Sequence, residues 1–166
     1  QEQYLSPTFV KSNNNNPLTK IKTPLTLVLC VPKNKKKSCG LLQLSEIINP
    51  DLLYRKYFYR SSTNQTMKRD LKDVHNKLIK ISKPKKNDLI VDVGANDNTL
   101  LNFYNKKFRF IGFEPARNIK KIKSKNKIKN IINYFNAKEF FKYTNQKAKI
   151  ISSCAMFYDL KNPKKF

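Results

Sequence analysis

Apolar and polar positions along the chain change their period part-way through. Residues 1–26 show no regular pattern, and Asn13 to Asn16 followed by Pro17 read as a polar loop that cannot bury a core. Leu25–Cys30 and Leu41–Leu44 are rich in apolar and β-forming residues and predict two strands. Together they make a hairpin with Cys30 on one side of its mouth and Cys39-Gly40 on the other. Asn49-Pro50 predicts the start of a short helix, because Asn caps free N–H groups and Pro suits the first helical position. It leads into the aromatic stretch Tyr54–Tyr59. Ser61–Asn64 offers another cap, after which Met67, Leu71, Val74, Leu78 and Ile79 recur at helical spacing until Ser82-Lys-Pro84.

From residue 88 the pattern becomes apolar runs separated by helical stretches. Asp88–Val93, Phe108–Phe113, Ile128–Asn133 and Ala148–Ser153 are expected strands, their starts 20 residues apart. Thr99–Tyr104, Ala116–Lys125 and Ala137–Tyr143 are expected short helices between them. Such alternation predicts βαβ units in a parallel sheet, with ligands at the carboxyl ends of the strands. The expected fold class is α/β, with a Rossmann-like parallel sheet of four strands at 85–166. A small cysteine-bearing hairpin module at 1–48 and linker helices at 49–84 precede it.

Composition bounds the partners. The 166 residues include 35 basic and 11 acidic side chains, for a formal charge of +24. A nucleic-acid footprint is a clustered patch with stacking aromatics, whereas lysines here occur in nearly every segment. Charge alone therefore does not make nucleic acid the expected partner, and the densest run, Lys33–Lys37, reads as a solvated loop. No apolar run approaches the ~20 residues of a membrane span, and the first ten residues lack the basic start and apolar middle of a signal peptide. A cytoplasmic monomer without membrane contact is expected, and reduced cysteines with it: Cys30, Cys39 and Cys154 are odd in number. The chain opens on Gln rather than Met, which suits a fragment or a processed product.

The chemistry concentrates after the first strand of the sheet. In Val91-Asp92-Val93-Gly94-Ala95-Asn96-Asp97, Gly94 lets the backbone turn tightly against a ligand, and Asp92 can hold a polar or cationic group. Glu114, 20 residues beyond Gly94, ends the second strand, where a carboxylate can accept bonds from both hydroxyls of an adenosine ribose. A dinucleotide site wants three glycines to admit a pyrophosphate; this turn has one. S-adenosylmethionine (SAM) has no pyrophosphate, and its ammonium and sulfonium favour a nearby carboxylate.

The Asp92-x-Gly94 turn with Asn96-Asp97 and Glu114 resembles the nucleotide loop of class I SAM-dependent methyltransferases. Pro24–Cys30, Cys39–Leu44, Tyr59–Met67, Val93–Asp97 and Ser153–Asp159 extend the likeness, from about Leu5 onward, to sugar-nucleotide C-methyltransferases that join a small zinc module to that fold. Two departures lie within the motifs. Asn98 stands where the family has glycine, and Asn is the side chain that best tolerates left-handed angles. Cys30 and Cys39 are spaced Cys-x8-Cys rather than Cys-x2-Cys.

The resemblance implies a SAM cofactor, a nucleotide-linked keto-deoxysugar substrate, and zinc held partly by Cys30 and Cys39, with its other ligands upstream of position 1. It implies a Tyr57 or Tyr59 hydroxyl against the sugar, the competing reading being hydrophobic cover between two modules. It also implies SAM contacts from Asn64 and Gln65, an adenine site at Phe135 and Asn136, and Cys154 and Ala155 lining the methyl-delivery end. Cys154 is read as a lining residue, because no histidine is near it in sequence; the lone His75 carries no catalytic expectation. The family's base lies beyond the fourth strand, so the chain alone is expected to transfer methyl poorly. Two other readings stand beside this one: a SAM-dependent RNA methyltransferase, and a non-catalytic zinc-hairpin binding module.

Overall fold

The computed structural model describes residues 4–5, 23–31, 39–164 and 166. The polar loop at 13–17 and the lysine run at 33–37 lie outside them. The chain divides into two compact units, Gln1–Tyr54 and Arg55–Phe166.

In the first unit, β1 (Tyr4–Leu5) pairs antiparallel with β2 (Thr23–Pro24). β3 (Leu27–Leu29) pairs antiparallel with β4 (Leu42–Leu44), Leu27 opposite Leu44 and Leu29 opposite Leu42. This is the expected hairpin, trimmed at its ends. Its leucines are exposed on both strands. The short helix α1 (Pro50–Tyr54) starts as Asn49-Pro50 predicts, with the Asn49 side chain accepting from Asp51 N–H at 3.0 Å.

The second unit is α/β. Its four strands are β5 (Leu89–Val93), β6 (Arg109–Phe113), β7 (Ile128–Ile131) and β8 (Ala148–Ser152). All pair in parallel, in the order β7-β6-β5-β8. The order reverses at β5, whose five residues are all buried. Side chains alternate across it, as the pleat requires. Ile90, Phe110 and Ile150 point to one face with Leu71, Leu100, Leu101 and Tyr104. Leu89, Val91, Val93, Ile111, Phe113 and Ile131 point to the other with Phe140. Burial on both faces is why β5 and β6 read as nearly continuous apolar runs, whereas β7 and β8, at the edges, are partly exposed.

Helix α2 (Gln65–Ser82) covers the first face with Met67, Leu71, Val74, Leu78 and Ile79. Asn64 caps its start, and Lys83 closes it in the left-handed region at φ 45° just before Pro84. Helix α3 (Ala137–Phe141) covers the second face, capped by Asn136. β8 is an edge strand among the described residues, with Ile151 exposed. No helix among the described residues is long and apolar enough to cross a membrane.

Two expected helices differ. Thr99–Tyr104 contains a single 3₁₀ turn, Leu101–Phe103. The Ala116–Lys125 stretch is not helical at all. A helix there would stack Arg117, Lys120, Lys121 and Lys125 at three- and four-residue spacings, where like charges repel. The segment instead bonds outward: Arg117 N–H donates to the Arg55 carbonyl at 3.1 Å and Ile122 N–H to the Asp97 carbonyl at 3.0 Å.

Candidate functional site

The carboxyl ends of β5 and β6 build the site. At the end of β5 the backbone turns through Gly94 at φ 75°, where an L side chain is strained. Gly94 N–H and Ala95 N–H both donate to the Phe113 carbonyl at 2.9 Å. Asn96 and Asn98 adopt φ 49° and 71°, so three left-handed residues fold the loop tightly. Asn98 thus takes the conformation for which glycine is the usual choice.

Glu114 clamps this loop. One carboxylate oxygen accepts Asn96 N–H at 2.8 Å and the other accepts Ala116 N–H at 2.9 Å. The carboxylate is buried, yet each oxygen has a second lone pair. Asn96 ties in a further segment: its amide donates to the Tyr59 carbonyl at 3.1 Å and its side-chain oxygen accepts Ser61 N–H at 3.0 Å. Asp97 accepts Ser62 N–H at 2.9 Å and the Thr99 hydroxyl at 2.6 Å. The Tyr59–Ser62 strap is therefore sewn to the loop by two side chains.

The acids of the loop titrate in opposite directions. Burial pushes Asp92 up to about 7; the Ser152 hydroxyl bond at 2.7 Å opposes this, Glu114 adds to it, and Lys121 opposes it. Burial also works against ionised Asp97, but the bonds from Ser62 and Thr99 outweigh it and hold that carboxyl below its ordinary value. Lys121 reaches into the same cluster, its ammonium donating to the Asn96 carbonyl. Burial lowers its pKa, while Glu114, Asp97 and Asp92 pull the other way.

The remaining expected residues fall into groups. Tyr57 is half-buried, and its backbone pairs with the Asn118 amide in both directions at 2.9 Å. Burial raises its phenol pKa, and Tyr158, Asp159, Glu114 and Tyr59 raise it further, so the hydroxyl keeps its proton. Cys154 sits near Asp92; burial and then that acid raise its thiol, which favours a lining role over a thiolate nucleophile. Ala155 follows at φ 55°, and Met156 lies 3.4 Å from where a Gly94 side chain would start. Phe135 packs edge-on to Phe113 with centroids 5.1 Å apart.

Asn64, Gln65 and Asn136 are exposed. Asn64 spends its side-chain oxygen on Met67 N–H at 3.1 Å, and Asn136 spends its own on Glu139 N–H at 2.8 Å. Both act as helix caps. Asn64→Ala is expected to lower stability by about 1 kcal/mol, measured as a fall in the urea midpoint at unchanged slope.

Within the first unit, Cys30 and Cys39 lie side by side. Cys30 N–H donates to the Leu41 carbonyl at 2.9 Å. The Cys39 thiol is held below its ordinary pKa by a bond to the Leu41 backbone and another to the Cys30 thiol. A closed tetrahedral zinc site takes four ligands, and these are two. Among the described residues no cluster of three or more His, Cys, Asp and Glu could complete it.

Sequence reasoning did not find Lys121, Ser61, Ser62 or Asn118. Ser61 and Ser62 contribute backbone N–H groups, which side-chain identity does not advertise. Lys121 is one lysine in a lysine-rich stretch. No protein-family model matches this chain, and no curated protein matches it.

Proposed function

We propose that the second unit is a Rossmann-like SAM-binding fold, and that the protein takes part in methyl transfer to a carbon of a nucleotide-linked keto-deoxysugar. The observation that carries the first half is the junction of Gly94, Asn96 and Glu114. One glycine turn ends the central strand, and its loop N–H bonds to an acid that ends the neighbouring strand. The strand order reverses at β5, and open α/β sheets take ligands at the carboxyl ends of the strands at such a switch point. The sugar substrate rests on the motif resemblance.

SAM, when bound, supplies an electrophilic methyl on a sulfonium. Glu114 would accept hydrogen bonds from the ribose through its remaining lone pairs. Asp92 and Asp97 would balance the ligand's positive charges, and Phe135 would cover the adenine. Tyr57, which keeps its proton, would donate to the oxygen of the reacting sugar as negative charge develops there. Cys154 and Ala155 would line the methyl end. In the first unit, Cys30 and Cys39 would give zinc two thiolates.

Isothermal calorimetry of the chain with SAM tests the reading. Saturable binding is expected, and Glu114→Ala is expected to weaken it at least tenfold (about 1.4 kcal/mol) through loss of hydrogen bonds to a charged acceptor. Absence of SAM binding by a folded wild-type chain would sink the proposal. Methyl transfer assayed with a keto-deoxysugar nucleotide tests the substrate separately.

A further inference from the structure

Away from the loop, helix α2 and the turn after β5 enclose an open groove of about 360 Å³, lined by Lys68, Arg69, Lys72, Asp73, Asn76 and Phe103. Three of the six carry positive charge. The single acid among them, Asp73, is paired with Lys77 at 2.7 Å, one turn along the helix. The aromatic is half-buried, with the Lys72 ammonium 5.1 Å from its ring centre. Asn76 directs its side-chain oxygen to His75 at 3.0 Å, which leaves its amide N–H groups for another acceptor.

We propose that this groove holds a nucleotide unit of a single-stranded nucleic acid. Binding of single strands combines a basic channel for the phosphates with an aromatic face on which a base stacks. Lys68 and Lys72 lie four residues apart on α2, with Arg69 beside them, and Phe103 supplies the ring. A base stacking on Phe103 displaces the Lys72 ammonium, which is then free to pair with the adjoining phosphate. The Asn76 amide offers a neutral donor to a base or phosphate oxygen. The charge of +24 draws a polyanion from a distance far more strongly than it draws a single nucleotide. The lysines are spread along the whole sequence, but here the fold gathers them around one ring. This site is separate from the Gly94 loop and does not rest on its reading.

The test is fluorescence polarisation of the full chain with a labelled ten-nucleotide oligothymidylate at several salt concentrations. Phe103→Leu keeps apolar volume and removes the stacking face; it is expected to weaken binding about tenfold, while Phe103→Trp holds or tightens it. Replacing Lys68, Arg69 and Lys72 together by Gln is expected to reduce the steepness of the log–log salt plot by about 2, from three lost phosphate contacts. The comparison is a triple Gln variant at the exposed Lys138, Lys147 and Lys149, distant from the groove in sequence. Equal losses in the two triple variants, with Phe103→Leu unchanged, would mean diffuse attraction and overturn the proposal. So would thymidine monophosphate binding as tightly as the decamer. Circular dichroism confirms that each variant is folded before it is compared.

Discussion

Asp92→Asn is expected to be more stable, relative to the wild type, at pH 8 than at pH 3, by about 4 kcal/mol. The carboxyl is fully buried, and its pKa rises from 3.8 in the open chain to about 7 in the fold. A group that binds its proton more tightly when folded contributes stability below its unfolded pKa. That contribution is lost as pH rises through the folded value. The window here runs from about pH 4 to about pH 7. About three pKa units at 1.36 kcal/mol each set the size of the effect. Asn keeps the shape and still accepts the Ser152 hydroxyl; its NH2 adds two buried donors, whose cost is the same at every pH, so the change in the gap with pH isolates the charge. Urea unfolding of both proteins from pH 3 to pH 8 reads the difference. A pH-independent gap between them would show that Asp92 does not titrate as its burial demands.

Asp97, five residues on, runs the other way. Its folded pKa is depressed by Ser62 and Thr99, so its contribution is present above the unfolded value and disappears as pH falls. The same loop thus holds one acid that the fold resists ionising and another that it keeps ionised. On the proposed function this division has a purpose. A buried carboxyl near 7 has a charge available for a cationic ligand at a cost the apo-protein carries. SAM affinity is accordingly expected to rise as pH increases through 7 in the wild type, and to lose that rise in Asp92→Asn.

Much of this architecture was legible in the sequence, for a physical reason. β5 and β6 lie buried between the two covering layers, so hydrophobicity marks them without help from context. Asn64 is legible as a cap from the Ser61–Asn64 stretch, whereas the cap at Asn136 shows only in the structure; their side-chain oxygens are spent on Met67 and Glu139. The expectation of a SAM contact at both residues comes from the family resemblance, which matches residue type and order and does not distinguish a cap from a ligand donor. The expectation of a helix over Ala116–Lys125 comes from its place between two strands of a βαβ pattern. Its charges and its outward hydrogen bonds to Arg55 and Asp97 decide otherwise, and both partners are distant in sequence. That same irregular course brings Lys121 against the Asn96 carbonyl. A helix would have carried the residue elsewhere, so its role follows from the tertiary bonds and from nothing local.

Gly112 tests how closely the floor of the site depends on the sheet. It pairs with Asp92 in the β5–β6 register and lies directly under the loop. A Cβ there would stand 3.0 Å from the Ala95 Cβ, 3.1 Å from the Asn98 side-chain oxygen and 3.4 Å from a Leu101 methyl. Ala95, Asn98 and Leu101 are all buried, so none has open space to move into. The Asn98 oxygen also lacks a hydrogen-bond partner among the described residues, and a methyl group would only press on it. Gly112→Ala is expected to cost about 1–3 kcal/mol by overpacking, read as a lower urea midpoint, and to weaken SAM binding because the loop must lift. Ala95→Gly removes the nearest clash. In the double variant Ala95→Gly with Gly112→Ala, stability is expected to exceed the sum of the single effects by at least ~0.5 kcal/mol, the coupling shown by side chains in contact. Strict additivity would mean that the loop moves freely over β6, and the Glu114 clamp on Asn96 would then be too weak to shape a ligand site.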